Sequence, residues 1–165
     1  MLGDTRIGTG VTPQHIYIVP RLAWSKSMGV FRTVLNIVTK EEGDIIDLTR
    51  KVSETVRDSG LKAGIACIFV PHTTAAVFVI ENESGLRSDI VGSMEKVFPK
   101  GFKYAHDAGG DGNGHSHIRA SILGQSVSVP FNDALLDIGT WQSIVLMELD
   151  NDGRPRKLII QLVGE

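Results

Sequence analysis

TWQSIVLMELDNDGRPRKLIIQLV, residues 140–163, is the stretch whose reading decides the fold class. It holds two strongly apolar runs of strand length, 140–149 and 157–163, rich in β-branched residues. Between them NDGR, residues 151–154, has the composition of a tight hairpin turn. The expectation is therefore an antiparallel pair at the end of the chain. SVSVP at 126–130 reads as a third strand just ahead of it.

Working outward, helical and strand periods mix. FRTVLNIVT at 31–39 alternates as a strand does. Asp47 reads as an N-cap, followed by Leu48, Val52 and Val56 at fourfold spacing and a stop at Gly60, which predicts a helix over 47–59. GIACIFVP at 64–71 and AAVFVI at 75–80 are continuous apolar runs, the mark of strands buried on both faces. Only the four residues Pro71 to Thr74 separate their apolar parts, so they are either an antiparallel pair or one strand broken at Pro71. Cys67 falls within the first run and reads as core packing. Residues 83–98 carry a stripe of Leu86, Ile90, Met94 and Val97, widened by Val91 and Phe98 and stopped by Pro99, which predicts a second helix. The class is α+β, with two principal helices on mixed or antiparallel sheet.

The 165 residues suit one domain, expected over 31–165, preceded by an arm at 1–30 whose QHIYIVP, at 14–20, could be a short strand. At 42% hydrophobic and 22% charged residues the chain can bury a core, and its net charge of −2 gives no basic face for nucleic acid. No apolar run reaches the roughly 18 residues of a membrane span. One cysteine and no apolar leader point to a cytoplasmic setting.

The chemistry concentrates in HDAGGDGNGHSHIRASILG, residues 106–124, which carries three of the five histidines. His115 and His117 share a face if extended, and the glycines let His106 fold back. Imidazoles so gathered can form an open divalent-metal site; the same loop also reads as a solvated polar turn. Gly112, Gly114 and Ser116, at the start of a short helix ending near Gly124, can form an anion nest with Arg119 adding charge, or a plain loop-to-helix junction. His72 lies between two core strands. Glu81 and Glu83 follow the second strand, and Asp89 lies off the stripe of the second helix; all three could simply cap and solvate that helix. Trp141 is either core or a stacking surface for an aromatic ligand.

HTTAA…EN (72–82), YAHD (104–107), NGHSHIRASILG (113–124), GTWQ (139–142) and the terminal QLVGE occur together in this order. The set resembles the YjbQ family, whose members are small, cytoplasmic, trimeric proteins called secondary thiamine-phosphate synthases. The resemblance runs from about Val34 to Glu165. It implies a functional set of His72, Thr73, Glu81, Asn82, Asp89, His106, Asp107, Asn113, His117, Arg119, Thr140, Trp141 and Gln142. Two positions bear on it: Ile80 stands where members often have Asn, and His115 falls where the family is not restricted to histidine. The metal triad implied is thus His72, His106 and His117, with His115 peripheral.

The implied reaction joins a pyrimidine methyl diphosphate to a thiazole phosphate and releases pyrophosphate. Its departing charge calls for a divalent ion, Mg²⁺ or Zn²⁺, or for fixed donors. No nucleotide cofactor is expected. The partners implied are a small phosphorylated substrate and two further copies of the chain. A metal-dependent hydrolase of phosphorylated metabolites, and a non-enzymatic trimer that binds a metabolite or metal, are the competing readings.

Overall fold

The structure, a computed structural model, describes residues 28–165. The strand expected at 14–20, and the expected arm up to residue 27, lie outside the described residues; the last residues assigned to that arm, Gly29 and Val30, already belong to β1. The chain forms β1 (Gly29–Val38), β2 (Ile45–Asp47), α1 (Thr49–Asp58), β3 (Gly64–Phe69), β4 (Ala75–Glu81) and α2 (Ser84–Val97). A short 3-10 helix (Ala105–Gly109) leads to α3 (Gly114–Leu123), then β5 (Ser126–Asn132), β6 (Leu135–Leu136), β7 (Gln142–Glu148) and β8 (Pro155–Gly164). The fold is α+β, with every described strand pairing antiparallel.

The strands divide into two sheets, ordered β1-β8-β3-β5-β6 and β2-β7-β4. One apolar core lies between them, built from Ala66, Ile68, Leu158, Ile160 and Leu162 on one side and Ala75, Val77, Ile144 and Leu146 on the other. Leu48, Val52 and Val56 bring α1 into that core. A second core lies on the far face of the three-stranded sheet, where Ala76, Ile80, Val145 and Met147 meet Ala120 of α3. The molecule is thus layered: five-stranded sheet, three-stranded sheet, then α2 and α3.

This layering corrects the hairpin expectation. β7 and β8 do not pair; NDGR carries the chain from one sheet to the other. Gly153 is there for close approach, since a Cβ on it would stand 2.2 Å from the carbonyl carbon of Lys40. Both alternatives for 64–80 fail in the same way: β3 and β4 belong to different sheets, and residues 71–74 cross between them.

Continuous apolarity did not distinguish the two strands. β4 is sandwiched between both cores. β3 instead alternates, with Ala66 and Ile68 fully buried and Ile65 54% exposed. The outer face of its sheet is uncovered in the single chain, which leaves Cys67 half-buried on that face rather than in the core.

The helices form close to where the sequence places them. The first begins at Thr49 rather than Asp47, although the Asp47 carboxylate still accepts from Thr49 N–H at 2.8 Å. Glu83 caps α2 through the N–H groups of Gly85 and Leu86. The stripe of α2 has no buried residue in the single chain: Val91 and Val97 are exposed. A cleft lined by Val91, Met94, Met147 and Leu149 separates the helix from the sheet below it. No helix among the described residues is long and apolar enough to cross a membrane.

Candidate functional site

The loop before α3 is fastened at three points. Asp107 Oδ1 accepts from the N–H of Gly114 at 2.8 Å. Asn113 Nδ2 donates to Asp150 Oδ1 at 3.2 Å. Asn151 Nδ2 donates to the carbonyl of Gly112 at 3.2 Å. So held, the loop brings His106 of the 3-10 helix against His117 in the first turn of α3, with ring centroids 4.5 Å apart.

Beneath the loop lies a charged network that the sequence reading missed. Glu148, fully buried, accepts from Arg156 Nε at 2.7 Å and from Thr39 Oγ1 at 2.6 Å. Asp150 Oδ2 accepts from Thr74 Oγ1 at 2.9 Å and faces Arg154 Nη2 at 3.1 Å. Burial acts to raise the Asp150 carboxyl, but donors from Asn113, the Asn151 N–H and Thr74, together with the Arg154 charge, more than offset it, leaving its pKa below the usual range. The signal was present in MELDNDGRPR, where acids and arginines interrupt an apolar run. Thr74, not the exposed Thr73, is the threonine that joins the network.

The network also reaches His72. Arg156 Nη2 donates to the carbonyl of Thr74 at 3.2 Å, and the N–H of Lys157 donates to His72 Nε2 at 3.0 Å. Burial and the Arg156 charge push the His72 pKa down, Glu148 opposes, and Arg154 adds to the depression.

The remaining candidates lie at the other end of the three-stranded sheet. Glu81 pairs with Gln142 in register, whereas Ala75 pairs with Glu148. The seven residues of β4 separate the two ends by about 20 Å. At the far end, Asn82 donates to Asp47 Oδ2 at 2.9 Å and accepts from Arg87 Nε at 2.5 Å. Gln142 Oε1 accepts from the N–H of Gly139 at 2.8 Å; Thr140 is exposed, and Trp141 is 74% exposed. Asp89 is exposed on α2. Within one chain, therefore, the expected set does not gather into one site.

Three expectations are corrected here. First, Arg119 is not a free cation at an anion nest. It is 4% exposed, donating to Glu42 Oε1 at 2.8 Å, Glu95 Oε2 at 2.6 Å and the Phe98 carbonyl at 3.0 Å. Second, the nest itself is closed. Gly114, His115 and Ser116 are buried, and the N–H of Ser116 is spent on Asn113 O at 2.9 Å. Gly114 packs so tightly that a Cβ would stand 2.5 Å from that of Tyr104, which accounts for that glycine without a phosphate. Third, His72 does not join the loop histidines in one chain. Among the described residues no three His, Cys, Asp or Glu side chains gather as an ion-holding group.

His115 is apart from the pair, but it is no surface residue. It is fully buried, with Nε2 3.3 Å from Glu42 Oε1 and Nδ1 without a partner. Burial lowers its pKa first, against the pull of Glu42; Arg119 and Lys100 lower it further. It belongs to the ionic cluster that ties α3 and the end of α2 to the loop before β2.

Comparisons agree with this architecture. The model of the YjbQ-like UPF0047 proteins matches residues 33–165. A UPF0047 protein of Methanothermobacter thermautotrophicus is 40% identical over 138 residues, covering 84% of this chain and 95% of its own. UPF0047 protein YugU of Bacillus subtilis is 32% identical over 131 residues, covering 79% and 97%. The crystal structure of a YbjQ-like protein from Sulfolobus solfataricus superposes with a TM-score of 0.81 at 34% identity, covering 84% of this chain and all of that one.

Proposed function

Since the chain belongs to the YjbQ-like UPF0047 family, we propose that it is a thiamine-phosphate synthase-like transferase whose site is completed between copies in a homotrimer. The observation that carries this reading is the separation of the candidate residues along β4. His106, His117, Asn113 and Asp107 stand at one end of the three-stranded sheet. Glu81, Asn82, Trp141 and Gln142 stand at the other. In this reading a neighbouring copy brings the second group to the first.

The single chain has surface suited to such an assembly. Val97 of α2 and Ile122 of α3 are 61% and 65% exposed, and Phe102, between these helices in sequence, is exposed with them. At roughly 25 cal/mol per Å² of apolar surface, covering residues of this size is worth kilocalories per copy.

The reaction joins the thiazole phosphate to the pyrimidine's exocyclic carbon as the carbon–oxygen bond to the diphosphate breaks. Trp141 offers an exposed flat face on which an aromatic ring can stack. Glu81 and Gln142 lie beside it with polar groups to orient that ring. His106 and His117 supply two imidazole nitrogens at one spot. That donor set fits a borderline ion such as Zn²⁺ and does not fit Mg²⁺, which prefers oxygen. A divalent ion held by His106 and His117 would neutralise charge on the leaving pyrophosphate.

The test is incubation of the protein with the two phosphorylated precursors, with product and pyrophosphate followed together. Stoichiometric formation of both supports the reading. Loss of phosphate from simple esters without joined product would instead favour the hydrolase. Tight binding without turnover would favour the binding trimer.

A further inference from the structure

The hydrogen bond between Lys157 and His72 fixes more than a position. A backbone N–H can only donate, so His72 Nε2 must present its lone pair, 3.0 Å away. In the neutral ring the proton then resides on Nδ1. Burial, Arg156 and Arg154 all act to keep the ring neutral, against Glu148 alone. Such a ring has no lone pair left for a metal ion. It has one N–H to give, and Nδ1 has no hydrogen-bond partner among the described residues.

Arg154 is brought beside the His72 segment by two contacts: its Nη2 faces Asp150 Oδ2 at 3.1 Å, and that oxygen accepts from Thr74 Oγ1, two residues after His72, at 2.9 Å. Glu148 is neutralised by Arg156, which is itself buried and committed. Asp150 is matched by Arg154 through Nη2 at 3.1 Å. The Arg154 side chain is 46% exposed, so the rest of its fork of donors is open to a ligand. Arg119, by contrast, is bound by two carboxylates.

We propose that His72 Nδ1–H and the Arg154 guanidinium form an oxyanion subsite that binds a phosphate or diphosphate group, and that His72 is a hydrogen-bond donor and not a metal ligand. The identity of the physiological ligand rests on the phosphorylated-substrate reading above; the subsite does not require turnover.

The experiment is nitrogen NMR of the ¹⁵N-histidine-labelled full chain, paired with calorimetry of pyrophosphate in the presence of chelator. The expected spectrum has a protonated Nδ1 and an unprotonated Nε2 on His72, with Nδ1 shifting as pyrophosphate is added. His72→Gln and Arg154→Gln should each weaken pyrophosphate binding by about tenfold or more, the scale of one lost hydrogen bond to a charged group. His72→Asn, whose amide nitrogen reproduces the donor at Nδ1, should retain most of the affinity and so separates donor loss from misfolding. Zn²⁺ should shift the nitrogens of His106 and His117 and leave those of His72 in place. A protonated Nε2, a Zn²⁺-induced shift at His72, or pyrophosphate binding that is absent or indifferent to His72→Gln would overturn the proposal. If the subsite behaves as expected while the two precursors give no product, the synthase reading falls and the subsite stands. Product formed by a protein indifferent to His72→Gln would mean the reverse.

Discussion

Asn113 donates to Asp150 across 3.2 Å, and through this contact the crossover between β7 and β8 holds the histidine-bearing loop in place. The other carboxylate oxygen of Asp150 accepts from Thr74, two residues beyond His72. One buried acid thus ties together two segments, at residues 74 and 113, that precede it by 76 and 37 positions along the chain.

Replacing Asp150 by Asn should destabilise the protein, and the loss should depend on pH. The folded-state pKa is depressed, so the stabilisation is fully present above the unfolded carboxylate value, near 3.9, and is lost as pH falls through the folded one. Hydrogen bonds to a charged group are each worth about 1.5–3 kcal/mol. Thermal melts should show a large gap between wild type and Asp150→Asn at pH 6 that narrows below about pH 4. A gap that widened in acid would contradict the assignment.

Arg119 and Arg154 should separate stability from ligand binding. Arg119→Ala leaves Glu42 and Glu95 with Lys100 but without the guanidinium that joins them, and leaves the Phe98 carbonyl without its Arg119 donors. A loss of about 2–3 kcal/mol in denaturant unfolding is expected. Pyrophosphate affinity of the folded fraction should stay at the wild-type value. An Arg119→Ala protein of normal stability but impaired phosphate binding would restore the anion nest rejected above.

The legible parts of the fold were those set by local pattern. Val52 and Val56 placed α1, Pro99 ended α2, and the apolar run at 75–80 correctly signalled a strand covered on both faces. Sheet membership was not legible, because an apolar strand reads alike whichever sheet it joins. NDGR has hairpin chemistry, yet Gly153 serves the approach to Lys40. Nor could the sequence show Arg119 meeting Glu42, 77 residues away, so its charge looked free. Of the candidate site, the glycines showed that His106 could fold back toward the other loop histidines, but spacing favoured His115 with His117, and only the family resemblance pointed to His106 with His117; the roles of Glu148, Asp150 and Arg156 emerge only once the strands are crossed.

The exposed apolar residues of α2 and α3 should govern assembly. Sedimentation of the wild type should give the mass of three chains. Val97→Glu combined with Ile122→Glu places charge in that surface and should give single chains with an unchanged circular dichroism spectrum. A wild-type protein sedimenting as one chain at all concentrations would remove the basis for a shared site.

The most direct test of that shared site is complementation. His117→Ala disables one end of the three-stranded sheet and Gln142→Ala the other. Each variant alone should form trimers and yield no joined product from the two phosphorylated precursors. When the two are unfolded together and reassembled, mixed trimers should contain junctions with an intact His117 from one copy and an intact Gln142 from the next, and product formation should return. Mixed trimers that remain inactive, beside a wild-type control that recovers under the same treatment, would contradict a site built between copies.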